Sequence, residues 1–355
     1  MARPFTTRHF GIVLASLFLL CVSATHAAAG DLGRPGSAAP NKTDPLYLRD
    51  GMFDPLVAPE IMSAKDADWM PDGMQVLGIE IDGRYRAYPM HVLAYHQAVN
   101  DTVGGRDILV TYDLLGGLCA VFPRDRAVTH RVVGYLRGTL VLGAKQGLVE
   151  RPIWSPYTGR PVRLADSEPR AKARQRFTNL EITTWGSWRT RHPATDLVMP
   201  NVDYRDRYYR PRGGYVGTQS VLPAIAPTLP AEDERLGAHE IVAGLGGTHP
   251  EAVAVDRQAR TPHLVALEDG RWLLWKPNAG SLGRAVAFQL PKDQRLVLQG
   301  DQLRVDGQSA RYHLDGRAVQ SGVPALERTP ALVAEWYAWR VHHPDTRLHD
   351  ATPAR

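Results

Sequence analysis

Short runs of alternating apolar and polar residues, separated by turn-forming pairs, recur along the first half of the chain. The clearest run is centred on Asp82-Gly83, a pair typical of tight hairpin turns, and its apolar positions are Ile79, Ile81, Tyr85 and Ala87. Further strands are predicted over residues 108–112, 119–122 and 139–142; Gly104-Gly105 precedes the first of them and Gly116-Gly117 separates the first two. The pattern therefore predicts antiparallel hairpins.

Helical periodicity appears in two short segments between these strands. Pro89 suits the first turn of a helix, which we predict to continue to about Asn100 and to bury His96 between two apolar faces. A second predicted helix contains Trp185 and Trp188 and ends before Pro193. Strands and helices together predict the α+β class: two related lobes, each a mostly antiparallel sheet with packed helices.

The prediction of two lobes depends on a repeat with a constant offset of 151 residues. Trp185, Trp188, Arg189, His192, Pro193 and Thr195 recur as Trp336, Trp339, Arg340, His343, Pro344 and Thr346. Two of these matches are tryptophans, of which the chain has only eight, so coincidence is a poor explanation. So long a period indicates two domain-sized halves of common origin rather than a solenoid of small units.

The N-terminal residues have the features of an export signal. Arg3 and Arg8 precede an apolar run over residues 10–21, and small residues at 27–29 offer a cleavage site. The run is shorter than the roughly 20 residues of a membrane-spanning helix. We therefore predict a periplasmic or secreted protein without a transmembrane segment after signal removal, although a retained signal anchor is an alternative.

These features divide the chain into five predicted segments. They are a signal peptide over 1–29, an extended leader over 30–59, a first lobe over 60–200, a Tyr/Pro/Arg-rich linker over 201–238 and a second, divergent lobe over 239–355. A doubly wound fold is disfavoured because no glycine-rich dinucleotide loop is present.

Charge and cysteine content restrict the function further. The 42 basic and 37 acidic residues nearly balance, and no block of lysine or arginine suggests a nucleic-acid partner. Cys119 is the only cysteine outside the predicted signal, so the exported chain has no intrachain disulfide. Its thiol is either a small buried apolar group or available for chemistry.

Several motifs in order resemble one bacterial family. They are GIEIDGRYRAYP at 78–89, YHQAVNDTVGGR at 95–106, VTY at 110–112, WSPYTG at 154–159 and TWGSWRTRHP at 184–193. These stretches are similar to the exported family known as the domain of unknown function DUF3179. The resemblance is clear over about residues 60–200 and fainter in the second half, and it implies no established activity.

The chain departs from that family at a possible reactive site. Members commonly have Cys-Pro-x-Cys-Gly after the Thr-Tyr pair, which together with the histidine matching His96 resembles a metal or redox site. Here Asp113 and Gly116 occupy the two cysteine positions, which excludes disulfide exchange between neighbouring thiols. His96, Asp101, Asp113 and Cys119 either bind a divalent metal, with His96 and Asp113 as the first candidates, or form a degenerate family site.

Two functions remain open. As a binding protein, the chain would hold a small molecule or glycan in a cleft between the lobes, with His96, Asp101, Asp113, Trp154 and Tyr157 as candidate contacts. The aromatic residues, with Trp185 and Trp188, would line the cleft or pack the core. As an envelope enzyme, it would use His96 with Asp101 or Asp113 for acid/base or metal-assisted hydrolysis.

Overall fold

The computed structural model describes residues 46–49, 51, 53–146, 149–162, 173–200, 229–256, 258–277 and 283–349, without the side chains of 146–151. All of them belong to one compact unit, Pro40–Arg355. The predicted signal peptide and most of the predicted linker lie outside the described residues.

The described chain is mainly β-structure. It contains twenty-four strands in six sheets and three α-helices of seven residues each, α1 at Met90–His96, α2 at Trp185–Arg191 and α3 at Trp336–His342. The α+β prediction is therefore wrong, because the helices are only two turns long and most apolar positions lie on short strands.

The extent of α1 shows why helix was overestimated. The helix ends at His96 rather than near Asn100, because Gln97 adopts the left-handed conformation with φ 56°. Ala98–Val103 then forms a strand that pairs along its full length with Arg106–Tyr112. This pairing satisfies the backbone groups of residues that the apolar pattern had assigned to the helix.

The first half contains three sheets. Its strands are β1 Leu46–Leu48, β2 Leu56–Val57, β3 Ile61–Ser63, β4 Gln75–Ile81, β5 Arg84–Pro89, β6 Ala98–Val103, β7 Arg106–Tyr112, β8 Cys119–Pro123, β9 Thr129–Leu136, β10 Thr139–Gln146, β11 Val149–Trp154, β12 Leu180–Thr184 and β13 Asp196–Val198. The sheet orders are β12-β4-β5-β13-β3, β2-β6-β7-β8 and β1-β9-β10-β11. The predicted hairpin at Asp82-Gly83 is confirmed, and both turn residues have positive φ.

The second half has a corresponding set of sheets. Its strands are β14 Ile241–Leu245, β15 Glu251–Ala254, β16 His263–Ala266, β17 Arg271–Lys276, β18 Arg284–Gln289, β19 Leu296–Gln299, β20 Gln302–Val305, β21 Arg311–His313, β22 Arg328–Thr329, β23 Leu332–Glu335 and β24 Arg347–His349. They form sheets β23-β14-β15-β24, β16-β17-β18-β22 and β19-β20-β21. The described residues between β15 and β16 contain no counterpart of α1.

The two tryptophan helices occupy equivalent positions in these halves. Each follows a strand that pairs antiparallel with a hairpin and precedes a strand that pairs parallel with the same hairpin. The indole nitrogen of Trp188 donates to Thr195 Oγ1 at 2.9 Å, and that of Trp339 donates to Thr346 Oγ1 at 3.1 Å. The repeated residues thus make the same contacts in both halves, while their common origin stays a prediction.

The hydrophobic core continues across the two halves. One cluster contains Phe122, Trp154 and Tyr157 from the first half together with Trp336 and Trp339 from the second. Burial of large aromatic side chains is a major source of stability, so the halves stabilise each other. None of the described helices is long and apolar enough to cross a bilayer.

His130 makes this core sensitive to acid. It lies on β9, is 2% exposed, and neither ring nitrogen has a hydrogen-bond partner among the described groups. Burial, reinforced by the charges of Arg174 and Arg124, lowers the pKa of His130 to about 4. The folded state therefore favours the neutral ring, and stability is lost as pH falls from about 6.5 towards 4.

We expect His130 alone to reduce the unfolding free energy by about 2 kcal/mol at pH 5 relative to pH 8. Urea unfolding of the wild type and His130→Gln across this range measures the effect. The variant should show a shallower loss of stability in acid, whereas His313→Gln, at an exposed position, should follow the wild type. Parallel pH profiles for all three proteins would contradict the assignment.

Candidate functional site

His96 is anchored at the C-terminal end of α1. Its side chain is buried, and Nδ1 lies 2.6 Å from the carbonyl oxygen of Asp54. Burial lowers the pKa of His96, while the hydrogen bond to Asp54 acts in the opposite direction. A neutral ring whose Nδ1 donates to a carbonyl fixes the start of β2 against the helix.

Asp101 is buried on β6 and ion-paired to the neighbouring sheet. Arg86 Nη1 lies 2.7 Å from its carboxylate, and the hydroxyl of Tyr88 donates to it at 2.6 Å. Both partners belong to β5, so the carboxylate connects two sheets of the first half. Buried charges are tolerated when they are paired and hydrogen-bonded in this way.

Asp113 organises the turn between β7 and β8. Oδ1 accepts from the backbone N–H groups of Leu115 and Gly116, at 3.0 and 3.1 Å. Oδ2 accepts from the N–H of Leu140 at 2.9 Å and from the hydroxyl of Tyr157 at 3.0 Å. Burial raises the pKa of Asp113, and these four hydrogen bonds oppose that rise.

Trp154 and Tyr157 lie in the shared core, where they are 2% and 1% exposed. The ring of Tyr157 stacks on His342 with a centroid distance of 4.6 Å. Trp154 packs edge to face against Phe122 at 4.9 Å. Trp185 and Trp188 are also buried, so these four aromatic side chains pack the interior.

The thiol of Cys119 is buried on β8, within an apolar cluster of the first half. Burial raises the pKa of this thiol far above its ordinary value. Because the thiolate is the reactive form, Cys119 is a poor nucleophile and a poor metal ligand in the folded protein.

The structure brings together only part of the predicted site. Asp113 and Tyr157 are in direct contact, whereas Asp101 accepts from Arg86 and Tyr88 of β5 and from the N–H of Thr102, and His96 Nδ1 contacts the carbonyl of Asp54. Across the described ranges, no three His, Cys, Asp or Glu side chains are arranged to hold a metal ion.

A separate polar cleft lies between the two halves. Its volume is about 280 Å³, near the lower end of the range of about 300 to 1,000 Å³ usual for ligand pockets. One wall comes from β4, β12 and α2, and the other from β18 and the turn at 315–317. The charged groups of the lining are Glu80, Glu181, Arg191, Arg284, Asp315 and Arg317. We refer to this feature as the charged cleft.

Ion pairs organise both walls of the charged cleft. Glu181 pairs with Arg191 on its own half and with Arg284 Nη1 of the other half at 3.4 Å. Asp315 pairs with Arg317 at 2.7 Å. Burial alone would raise the pKa of Asp315, but the hydrogen bonds and charge of Arg317 bring that pKa below its ordinary value. The Asp315 carboxylate is thus held ionised beside Arg317.

An aromatic stack borders the same cleft. The ring of His192 lies 4.1 Å from Tyr85 and 4.3 Å from Trp188, measured between centroids. Burial, followed by the charge of Arg191, lowers the pKa of His192, so its ring is neutral at physiological pH. Both Trp188 and His192 belong to the lining, but Trp188 is buried beneath the surface, so the half-buried His192 is the more accessible of the two.

Three buried polar atoms at the charged cleft have no hydrogen-bond partner in the described part of the chain. Asn179 Oδ1 and Arg284 Nε belong to lining residues. The third atom, Arg328 Nη1, belongs to a residue outside the lining, whose Nε donates to the backbone carbonyl of Asp315 at 2.7 Å. A buried polar atom without a partner costs about 1 to 3 kcal/mol of stability, so the packing beside the cleft is not fully satisfied by the described residues.

Sequence reasoning did not identify this cleft. Its charged residues lie at positions 80, 181, 191, 284, 315 and 317, and they converge only through sheet pairing. The one available signal was Gly316-Arg317, a weak match to Gly159-Arg160 in the repeat. Gly316 has a φ of 83°, and the turn that it forms places Asp315 and Arg317 at the cleft.

Comparison with known families identifies one match. The model of the family described as "Protein of unknown function (DUF3179)" matches residues 51–346. The match begins before β2 and ends after α3, so it includes both tryptophan helices and every charged residue of the cleft. Neither the curated proteins nor the solved structures contain a match to this chain.

Proposed function

Because the chain belongs to the DUF3179 family of unknown function, we propose that it is an exported protein that binds a small polar ligand or glycan in the charged cleft. The observation that carries this proposal is a cleft of about 280 Å³ whose lining combines Asn179 with charged side chains from both halves.

The chemistry of the lining favours a ligand with both hydrogen-bond donors and acceptors. The Asn179 amide both donates and accepts, the arginines of the lining donate, and its carboxylates accept. A hydroxyl group can serve as either, and sugars carry several hydroxyls on a ring with apolar C–H groups. The half-buried ring of His192, which lines the cleft, suits contact with such a ring.

The enzymatic alternative has less support. Asp101 accepts from Arg86 and Tyr88, and Asp113 accepts from Tyr157 and three backbone N–H groups. None of these contacts pairs either carboxylate with His96 for acid/base work. Ligand binding in the charged cleft is therefore better supported than acid/base catalysis by these carboxylates.

Isothermal titration calorimetry on the exported protein tests this proposal. The ligand panel is D-glucose, N-acetyl-D-glucosamine, D-glucuronate and L-glutamine. We expect binding of at least one member, and Asn179→Ala should weaken it about tenfold because one ligand hydrogen bond is lost. The control is Gln299→Ala, at an exposed position on β19, which should bind like the wild type.

Two results would contradict the proposal. Absence of binding across the panel, or equal binding by Asn179→Ala and the wild type, would remove the charged cleft as the ligand site. The export component is read from the same preparation by intact mass. A soluble periplasmic product beginning near Ala28 to Gly30 supports it, and membrane-bound material that retains Met1 refutes it.

A further inference from the structure

We infer that the ligand of the charged cleft is a small zwitterion, such as a free amino acid, whose ammonium group lies beside Glu80 and whose carboxylate lies beside Arg317. This inference rests on the proposed binding function and adds the chemical class of the ligand. It is based on the balance of charge in the lining and on these two accessible groups of opposite charge, which belong to opposite walls and do not form an ion pair.

The lining of the charged cleft is balanced in charge. It contains three arginines and three acids, which are Arg191, Arg284, Arg317, Glu80, Glu181 and Asp315. A ligand with a net charge would leave one sign in excess inside the cleft, where charges are less well solvated than in bulk water. The lining therefore favours a ligand whose own charges sum to zero, which is either a neutral molecule or a zwitterion.

The carboxylate of Glu80 is the acidic group that remains available to a ligand. Glu181 is already shared between Arg191 on its own half and Arg284 on the other half. Glu80 lies on β4 and is only partly buried, and its carboxylate forms no hydrogen bond or ion pair with the described residues. An ammonium group entering the cleft could therefore contact Glu80 without breaking an existing pair.

The guanidinium of Arg317 is the matching basic group. Its Nε donates to Asp315 Oδ2 at 2.7 Å, whereas its two terminal nitrogens form no hydrogen bond within the described part of the chain. The Arg317 side chain is 60% exposed, so these N–H groups can be reached by a ligand. Two N–H groups of one guanidinium fit the two oxygens of a carboxylate, and such charge-assisted bonds are about twice as strong as neutral ones.

Glu80 and Arg317 act on each other across the cleft. Burial lowers the pKa of Arg317, but the charge and hydrogen bond of Asp315, followed by the charge of Glu80, bring that pKa above its ordinary value. A neutral sugar between Glu80 and Arg317 would displace water from both charges and supply no opposite charge to either. A zwitterion supplies both, so the arrangement of the two groups favours it over a neutral ligand.

Calorimetric titration of the wild-type protein with L-glutamine and two analogues tests the inference. Glutaramate lacks the ammonium group of L-glutamine, and γ-aminobutyramide lacks its carboxylate, while both retain the side-chain amide. We expect L-glutamine to bind at least about tenfold more tightly than either analogue, because each analogue loses one charge-assisted contact. Equal affinities for the three ligands would overturn the inference.

Two variants assign the two contacts. Glu80→Gln should weaken L-glutamine binding about tenfold and change glutaramate binding less than about threefold, because glutaramate has no ammonium group. Arg317→Gln should weaken L-glutamine binding about tenfold and change γ-aminobutyramide binding less than about threefold, because that analogue has no carboxylate. Glu60→Gln and Arg311→Gln, at exposed positions, are the matched controls and should bind like the wild type.

The selectivity of the two variants distinguishes a charge contact from a structural effect. A substitution that only distorts the cleft would weaken all three ligands equally, and that result would overturn the inference. Absence of L-glutamine binding by the wild type would also overturn it. If D-glucose or N-acetyl-D-glucosamine binds in that case, the charged cleft stands as a ligand site and only the zwitterion is wrong.

Discussion

Replacing Asp113 with alanine is expected to reduce the unfolding free energy by at least about 3 kcal/mol. The carboxylate accepts hydrogen bonds from Leu115, Gly116, Leu140 and Tyr157, and alanine offers none of these donors a partner. A buried donor without a partner costs about 1 to 3 kcal/mol, and several are affected together. Urea unfolding followed by tryptophan fluorescence measures the loss.

A matched control is available in the same half. Asp125 accepts from the N–H of Ala127 at 3.0 Å in an exposed turn, and water can replace it there. Asp125→Ala should therefore cost no more than about 1 kcal/mol. If Asp113→Ala is as stable as Asp125→Ala, the four hydrogen bonds accepted by Asp113 do not stabilise the fold as proposed.

The Asp113 prediction also concerns the connection between the halves. The carbonyl of Gly116, in the same turn, accepts from the N–H of Glu335 at 2.8 Å, directly before α3. A Cβ at Gly116 would lie 2.0 Å from the hydroxyl oxygen of Tyr157 and 2.8 Å from the Cβ of Ala338. The turn between β7 and β8 therefore serves as a close contact between the two halves.

Substituting alanine for Gly78 is expected to cost at least about 2 kcal/mol of stability, since overpacking usually costs about 1 to 3 kcal/mol. Its new Cβ would lie 2.3 Å from Cε3 of Trp188, whose ring is buried and cannot move into solvent. Thermal and urea unfolding measure the effect. Gly73→Ala is the control, because nothing lies within 4 Å of the added Cβ at that position.

A double-mutant cycle separates this contact from a general intolerance of alanine. Trp188→Leu alone should destabilise the protein, because it leaves a cavity and removes the hydrogen bond to Thr195. The double variant Gly78→Ala/Trp188→Leu should be more stable than the sum of the single effects predicts, by at least about 1 kcal/mol. Additive losses would show that the ring of Trp188 is not the group that the new methyl meets.

Local chemistry explains which parts of the fold could be predicted. Asp82-Gly83 adopts positive φ at both residues, a conformation that this pair tolerates, so the hairpin needed no information from elsewhere. The tryptophan helices were predictable because Pro193 limits the first one and because its pattern recurs after 151 residues. The family motifs are also short continuous segments, and the family match over 51–346 confirms the assignment based on them.

Long-range pairing decided the rest. Ala98–Val103 has an apolar spacing that is compatible with a helix. It forms a strand instead, because Gln97 ends α1 and because β7 pairs with it in antiparallel register. From sequence, Asp113 was a candidate metal ligand or part of a degenerate site. In the structure its carboxylate accepts from Leu140 and Tyr157, which lie 27 and 44 residues further along the chain. The charged cleft is the extreme case, because Glu181 and Arg284 meet across 103 residues. The sequence by itself determined the turns, the repeated pattern and the family. Only the tertiary structure determined which charged side chains line the charged cleft, because their positions depend on contacts between distant segments of the chain.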